Sequence, residues 1–197
     1  MACEEEQERR IITIRKALDE IADMDLAEQA ERGGFSCEPI PGGGSLITVP
    51  SFSGSIEVVM PGGEITAPPL IDSFSLRVLT LRYIKLSRGV PESGDWIAYR
   101  DLPGGRFYAA TLVPTVEQPL ARCFGEKREA FAEASRSLGG SEAQYGDESF
   151  VFHPFPRTPL LLILHLGDEE FPPDCRILFD RCCSSYLNTD DLKVLST

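Results

Sequence analysis

The chain has 197 residues, of which 42% are hydrophobic and 25% are charged, as is ordinary for a globular protein. Its formal net charge is −12 at pH 7 and its pI is about 4.6. Because this charge repels phosphate backbones and no cluster of lysine and arginine offsets it, we expect no nucleic-acid partner. No run approaches the roughly 18 apolar residues that cross a bilayer, so we expect no membrane association.

The chain length predicts a single domain over residues 1–197, with a helical N-terminal part at about 6–33. Residues 1–6 lack the basic start and the apolar stretch of a secretory signal. The six cysteines form no C-x-x-C pair, and they are Cys3, Cys37, Cys123, Cys175, Cys182 and Cys183. We therefore expect a cytoplasmic protein whose thiols are reduced.

Two helices are predicted before residue 34. Apolar residues recur three or four apart between residues 11 and 21, which favours an amphipathic helix over 6–22. Asp25 and Glu28 have the spacing of an acidic capping box, so a second helix should begin there and end at Gly33.

Two strands and a long helix follow. The β-branched residues at 46–49 and 55–60, with a Ser–Gly turn between them, are typical of a hairpin. An apolar-rich stretch at 70–86 predicts the most buried helix, because apolar residues nearly surround it, and Gly89 supplies its end. The stretches rich in glycine and proline are interpreted as loops, at 39–44 and 61–69.

The following part of the chain predicts a short strand at 96–99, ahead of a turn. Thr115 and Gln118 have capping-box spacing, so a helix should begin there and end at Gly125. The other helical predictions are 107–112, where the pattern is ambiguous, 126–138 and 191–195.

The apolar run at 160–164 is bounded by turn residues, which is typical of a strand buried on both faces. The segments 150–157 and 177–179 flank it in sequence and supply further strands. We therefore predict an α+β fold in one domain, with a mixed or mainly antiparallel sheet of about five or six strands covered by helices.

Several segments together resemble a known family. They include Met24 to Ala30, Pro68-Pro69-Leu70, Trp96 to Gly105, Pro119-Leu120-Ala121, Pro156 to Leu160 and Gly167 to Pro173. The pattern is similar to an uncharacterised domain of unknown function of anaerobic bacteria and archaea, sometimes fused to a four-cysteine iron–sulfur module. The resemblance covers nearly the whole chain and implies a setting near corrinoid, methyl-transfer or carbon-monoxide metabolism. It brings no catalytic residues, and no four-cysteine module precedes the domain here, so no iron–sulfur cluster is implied.

Trp96, Tyr99, Arg100 and Asp101 form the first candidate ligand-binding group, directly before the turn at 103–105. An arginine can clamp a carboxylate or phosphate, and the aspartate beside it can act as an acid or base. The alternative is a strand that runs into a tight turn, with the two charged residues exposed and the tryptophan in the core.

Asp168, Glu169, Glu170 and Asp174 form the second candidate group. Four carboxylates within seven residues can hold a hard cation such as Ca²⁺ or Mg²⁺. Their spacing matches no known calcium loop, so we favour a solvated turn. Asp168 and Glu170 remain candidates for binding a ligand.

His153 and His165 are the two histidines of the chain. Either can be an axial ligand to a tetrapyrrole metal such as that of a corrinoid or haem, although a histidine held in the core or rim is the more common arrangement. Cys175, Cys182 and Cys183 can bind a soft metal or do redox chemistry, but we favour buried structural thiols, with the adjacent pair on opposite faces of a strand.

We expect a non-catalytic accessory or ligand-binding protein of anaerobic metabolism that handles a corrinoid or another tetrapyrrole. One alternative is an enzyme that acts on a small anionic metabolite, with Arg100 as anchor and Asp101 or Glu170 as acid or base. The other alternative is an interaction module that docks on a metalloenzyme, for which an exposed apolar patch would be the sign. The partner is thus a small molecule or a protein.

Overall fold

The computed structural model describes the backbone of residues 2–197 and the side chains of residues 5–197. The helices are α1 (Ala2–Ala22), α2 (Leu26–Gly33), α3 (Phe74–Leu86), α4 (Ala109–Leu112), α5 (Gln118–Phe124), α6 (Arg128–Ser137) and α7 (Thr189–Leu195). The strands are β1 (Ser36–Pro39), β2 (Ser45–Ser51), β3 (Gly54–Met60), β4 (Glu64–Thr66), β5 (Trp96–Ala98), β6 (Ser141–Glu142), β7 (Glu148–Phe152), β8 (Leu160–His165) and β9 (Asp174–Asp180). The α+β class is therefore confirmed.

The strands form two sheets rather than the one sheet that we predicted. The first has the order β1-β2-β3-β4 and the second the order β5-β9-β8-β7-β6, and every neighbouring pair is antiparallel. The predicted hairpin is β2–β3, and it gains a strand on each side from segments that we had interpreted as loop or left unassigned. β1 has no alternation of buried and exposed residues, so its pairing rests on backbone hydrogen bonds that leave little trace in sequence.

β8 lies in the middle of the five-stranded sheet, which confirms the central prediction. It pairs with β7 on one side and β9 on the other, and Leu162 stands opposite both Phe150 and Ile177. Leu161 and Leu164 are completely buried. The run is therefore apolar throughout because both faces of the strand are covered.

The helix α3 joins the two sheets, because its buried residues belong to a core cluster that also contains residues of both. It begins at Phe74 and not at residue 70, since the hydroxyl of Ser73 accepts a hydrogen bond from Leu76 N (3.1 Å) and caps the helix. Leu70 is 72% exposed, so its predicted place on the buried face was wrong.

The two N-terminal helices agree with the prediction. α1 packs on α3, with Ile21 fully buried. Asp25 accepts hydrogen bonds from Ala27 N and Glu28 N (3.1 and 3.0 Å) and so caps α2, which Gly34 ends in the left-handed conformation. The thiol of Cys3 lies outside the described residues.

Two local predictions were wrong. Thr115 does not cap a helix, because a π-helical turn at Val113–Glu117 joins α4 to α5 and its hydroxyl donates to Thr111 O (2.6 Å). Cys182 and Cys183 do not lie on a strand, because β9 ends at Asp180 and a short 3₁₀ helix follows. In both places the chain keeps helical geometry where the sequence pattern suggested a boundary or an extended segment.

Candidate functional site

The first predicted group consists of Trp96, Tyr99, Arg100 and Asp101, which lie on β5 and directly after it. Tyr99 is buried, and its hydroxyl donates to Thr189 O (3.1 Å). Trp96 is half-buried on β5. The side chains of Arg100 and Asp101 are 73% and 52% exposed, with 3.8 Å between Nε and Oδ2. The two charged side chains thus lie on open surface beside a tight turn, and the structure does not place them in a cavity.

The second predicted group closes a turn. Asp168 Oδ1 accepts hydrogen bonds from Phe171 N (2.7 Å) and Glu170 N (2.8 Å), and these two bonds lower the pKa of Asp168. The side chain of Glu170 itself is exposed. In the part of the chain whose side chains the structure describes, no three His, Cys, Asp or Glu residues come together as a metal site.

The two histidines lie at opposite ends of the five-stranded sheet. His153 directly follows β7 at the end where Phe152 pairs with Leu160, whereas His165 ends β8 at the other end. His153 Nε2 is 3.4 Å from a carboxylate oxygen of Glu92, and His165 is exposed. The two imidazoles therefore cannot ligate one metal together.

The cysteines near β9 are buried. Burial, with the nearby Glu117 carboxylate, raises the pKa of Cys175 to about 12. The thiols of Cys182 and Cys183 donate to carbonyl oxygens of residues 157 and 159 (3.5 and 3.4 Å). A hydrogen bond with Cys182, together with burial, raises the pKa of the Cys183 thiol. Since the thiolate is the reactive form, Cys175 and Cys183 are poor nucleophiles and act in packing.

A groove of about 880 Å³ lies elsewhere, between α1, the turn after β3 and the start of α3. Its walls carry both charged and apolar side chains. They are Glu6, Gln7, Arg10, Ile11, Ile14, Arg15, Leu18 and Asp19 on α1, Pro61, Gly62 and Gly63 in the turn, and Asp72, Ser73, Phe74 and Arg77 on or before α3. None of the residues predicted to bind a ligand is among them.

The long wall of the groove is one face of α1. Its lining residues run from Glu6 to Asp19, which is roughly 20 Å along a helix. The turn at Gly63 lies tightly against this wall, since a side chain at that position would come 2.6 Å from Leu18 Cδ1, and its φ of +76° also favours glycine. The close approach fixes one edge of the groove.

The arginines of the groove differ in how they are held. The guanidinium of Arg10 lies 5.3 Å from the ring centre of Phe74. Arg77 donates two hydrogen bonds to Asp72 (both 2.7 Å), which lower the pKa of that carboxyl. Arg15 makes no ion pair within 4.0 Å to any residue from 5 to 197. Arg15, and Asp19 one helical turn away, are thus the two charged lining residues without an ion pair among the described residues, and they lie beside the apolar floor formed by Ile11, Ile14 and Phe74.

This groove was not predicted from the sequence, although both of its helices were. The available signal was the position of Arg15 on the side of α1 that also carries Ile14 and Leu18. The helical pattern predicts that this face of α1 packs on the rest of the domain. It does not indicate that the turn after β3 leaves a gap beside this face.

Comparison with known proteins gives one match. The model of the family described as Domain of unknown function (DUF3786) matches residues 25–197. No curated protein and no solved structure matches the chain. The helix α1, which forms the long wall of the groove, precedes the matched region. Along residues 2–197, no helix combines the length and the apolar character needed to cross a membrane.

Proposed function

Since the chain belongs to the DUF3786 family, whose role is itself unknown, we propose a function from the groove: the protein is a non-catalytic binding protein that holds an anionic, partly apolar organic molecule. The observation that carries the proposal is the position of Arg15, unpaired among the described residues, beside the apolar floor. Arginine recognises carboxylates and phosphates through a planar set of donors. The groove volume falls in the usual range for small-molecule sites.

The floor and the rim of the groove suit different parts of such a molecule. Ile11, Ile14 and Phe74 offer apolar contact, and Ile11 is 56% exposed. Covering this exposed apolar surface with a ligand is favourable, because it removes the surface from water. At about 100° per residue, Arg10 and Arg15 lie on either side of Ile11 and Ile14 around α1, so the negative group of the ligand would lie at the edge of this apolar surface, the rim of the groove.

A corrinoid or haem is one specific ligand to test, because the family resemblance implies such chemistry. Tetrapyrroles join a wide apolar ring to polar or anionic edge groups, and this matches the floor and rim. Neither His153 nor His165 lines the groove, so neither histidine would ligate the metal there. The expected location in the cytoplasm and the role in anaerobic metabolism belong to the same proposal.

The test is a titration of the purified protein with haem, with cobalamin and with the anionic dye 8-anilinonaphthalene-1-sulfonate. We expect Arg15→Glu to weaken binding of the dye at least about tenfold, since it replaces the attracting charge with a repelling one. Arg9→Glu is the matched control, because it makes the same charge change on α1 outside the groove.

Equal loss of dye binding in both variants would overturn the groove as the binding site. Absence of any change in the absorption spectrum of haem or cobalamin on adding the protein would overturn the tetrapyrrole version alone.

A second candidate function rests on a different observation. Phe107 is 88% exposed, and Tyr108 and Val113 are also exposed in the segment that contains α4 and the start of the π-helical turn. Exposed aromatic residues near one another are typical of protein-binding surfaces. If the protein is an interaction module that docks on a metalloenzyme, this segment would form the contact surface. Purification from native cells should then recover a metalloenzyme with the natural protein and lose it with Phe107→Ser.

The alternative of an enzyme that uses Arg100 with Asp101 or Glu170 gains no support from the geometry. It requires these side chains to converge in one pocket. All three are exposed, and none of them lines the groove.

A further inference from the structure

A second, smaller cavity of about 260 Å³ adjoins the start of α3. Its lining consists of apolar side chains and three hydroxyl groups. The lining residues are Phe52, Ile71, Leu76, Leu79, Val194, Leu195, Ser73, Ser75 and Thr197. Ser73 also lines the large groove, so both spaces border the residue that caps α3.

The two spaces lie on opposite faces of α3. Phe74 and Arg77 face the groove, whereas Ser75, Leu76 and Leu79 face the small cavity. At about 100° per residue, the centres of these two sets are separated by roughly 180° around the helix. A molecule that occupies both spaces must therefore pass around the N-terminal end of α3, beside Ser73.

The small cavity has the chemistry of a site for an aliphatic group. No charged side chain of the described residues lines it. One of its apolar lining residues, Val194, is 43% exposed. Its volume corresponds to roughly eight groups the size of a water molecule, which is enough for several methylenes.

We propose that the ligand of the groove is a single-chain aliphatic carboxylate. This inference rests on the proposed function and names the ligand class. The carboxylate lies beside the arginines of the groove, and the chain passes Ser73 and ends among Leu76 and Leu79. A narrow, flexible chain can turn around the end of a helix, which a rigid tetrapyrrole ring cannot do.

The experiment is a calorimetric titration of the full chain with hexanoate, decanoate and dodecanoate. Each methylene that moves from water into an apolar site tightens binding by about fourfold. We expect dodecanoate to bind at least about tenfold more tightly than hexanoate, because the longer chain reaches the small cavity.

Ser75→Phe tests the cavity directly, since Ser75 is exposed and lines the cavity but not the groove. We expect it to remove the preference for dodecanoate and to leave hexanoate binding unchanged, whereas the control Ser75→Ala keeps the preference. An NMR measurement on the unmodified protein needs no variant: the terminal methyl of dodecanoate should show nuclear Overhauser contacts to methyls of Leu76 and Leu79.

Two failures are distinguishable. Equal affinity for hexanoate and dodecanoate, or no binding of dodecanoate, would overturn the aliphatic ligand while the dye titration still decides the groove. Carboxylate binding that follows chain length but is unaffected by Arg15→Glu would place the ligand outside the groove and overturn the proposed function.

Discussion

The surroundings of Asp180 and the groove beside α1 use charged side chains in opposite ways. Asp180 is 1% exposed, and its carboxylate accepts hydrogen bonds from Ser93, Gly94 and Cys182. In the groove, Arg15 is exposed and has no ionic partner among the described residues. A buried charge whose hydrogen bonds are all made serves the fold, whereas an exposed charge left without a partner is free to bind a ligand.

The buried polar groups around α3 also have hydrogen-bond partners, as Asp180 does. The hydroxyl of Tyr83 donates to Gly33 O (2.5 Å) and accepts from Arg157 N (3.0 Å), and burial raises the pKa of this phenol. Its ring stacks on Phe155 and Tyr186 at 4.8 and 5.7 Å between centres. The side chain of Tyr83 thus contacts α2 and the segment before β8 from its place on α3. Its hydroxyl has both of its hydrogen bonds made within the fold, so it is not available to a ligand.

The largest expected effect is at the centre of the five-stranded sheet. Leu161→Ala should lower the free energy of unfolding by about 3–5 kcal/mol, because it removes a fully buried side chain and leaves a cavity. The control Leu70→Ala should change it by less than about 0.5 kcal/mol, since that side chain is mostly in water. Denaturation in urea measures both, and equal small effects would contradict the buried position of β8.

The next effect is at Asp180. Asp180→Ala should cost about 3 kcal/mol in a urea titration, because the N–H groups of Ser93, Gly94 and Cys182 lose their acceptor in a buried place. The control is Asp95→Ala, which breaks an exposed ion pair with Arg181 and should cost less than about 1 kcal/mol.

The effect of Asp180 should also depend on pH. Burial alone would raise the pKa of Asp180, but the hydrogen bonds from Cys182 and Ser93 outweigh it and lower the pKa. The carboxylate therefore stabilises the fold fully above the ordinary pKa of an aspartate and loses this effect as the pH falls towards the lowered value. The difference between the natural protein and Asp180→Asn should stay constant from pH 7 to 5 and shrink below about pH 4. A difference that grows in acid would contradict this account.

A smaller effect of opposite sign is expected at Glu117. Burial raises the pKa of this carboxyl, although its hydrogen bond from Ile177 N lowers it in part. Its charged form therefore costs stability once the pH exceeds the ordinary pKa of a glutamate. Glu117→Gln should raise the melting temperature at pH 7 and leave it unchanged near pH 3, which is below the ordinary pKa of a glutamate, so that the carboxyl is protonated in the folded and the unfolded chain alike. The exposed control Glu133→Gln should show no such pH dependence.

Much of the fold could be predicted because its strongest signals are local. The five apolar residues of β8, the capping residue Asp25 of α2 and the spacing of apolar residues in α1 each determine one element. Membership of a family of unknown function was also predicted, whereas its taxonomic range and gene fusions remain predictions. The division into two sheets could not be predicted, because β1 and β4 are short and mostly exposed.

The candidate site was harder to predict than the fold. The sequence drew attention to charged residues in turns, Arg100 and Asp168 among them, yet these residues are exposed or close a turn. The groove combines residues more than 50 positions apart in the chain, from Arg10 to Phe74. Such a combination depends on how α1 packs against α3, and no pattern within either helix specifies it.

The most direct test of the contrast between the two regions is one variant measured in two ways. Arg15→Glu should leave the free energy of unfolding within about 0.5 kcal/mol of the natural value, because this exposed side chain has no ionic partner among residues 5–197 to lose. The same variant should bind 8-anilinonaphthalene-1-sulfonate at least about tenfold more weakly. A variant that unfolds much more easily while it binds the dye as before would show that Arg15 serves the fold and not a ligand.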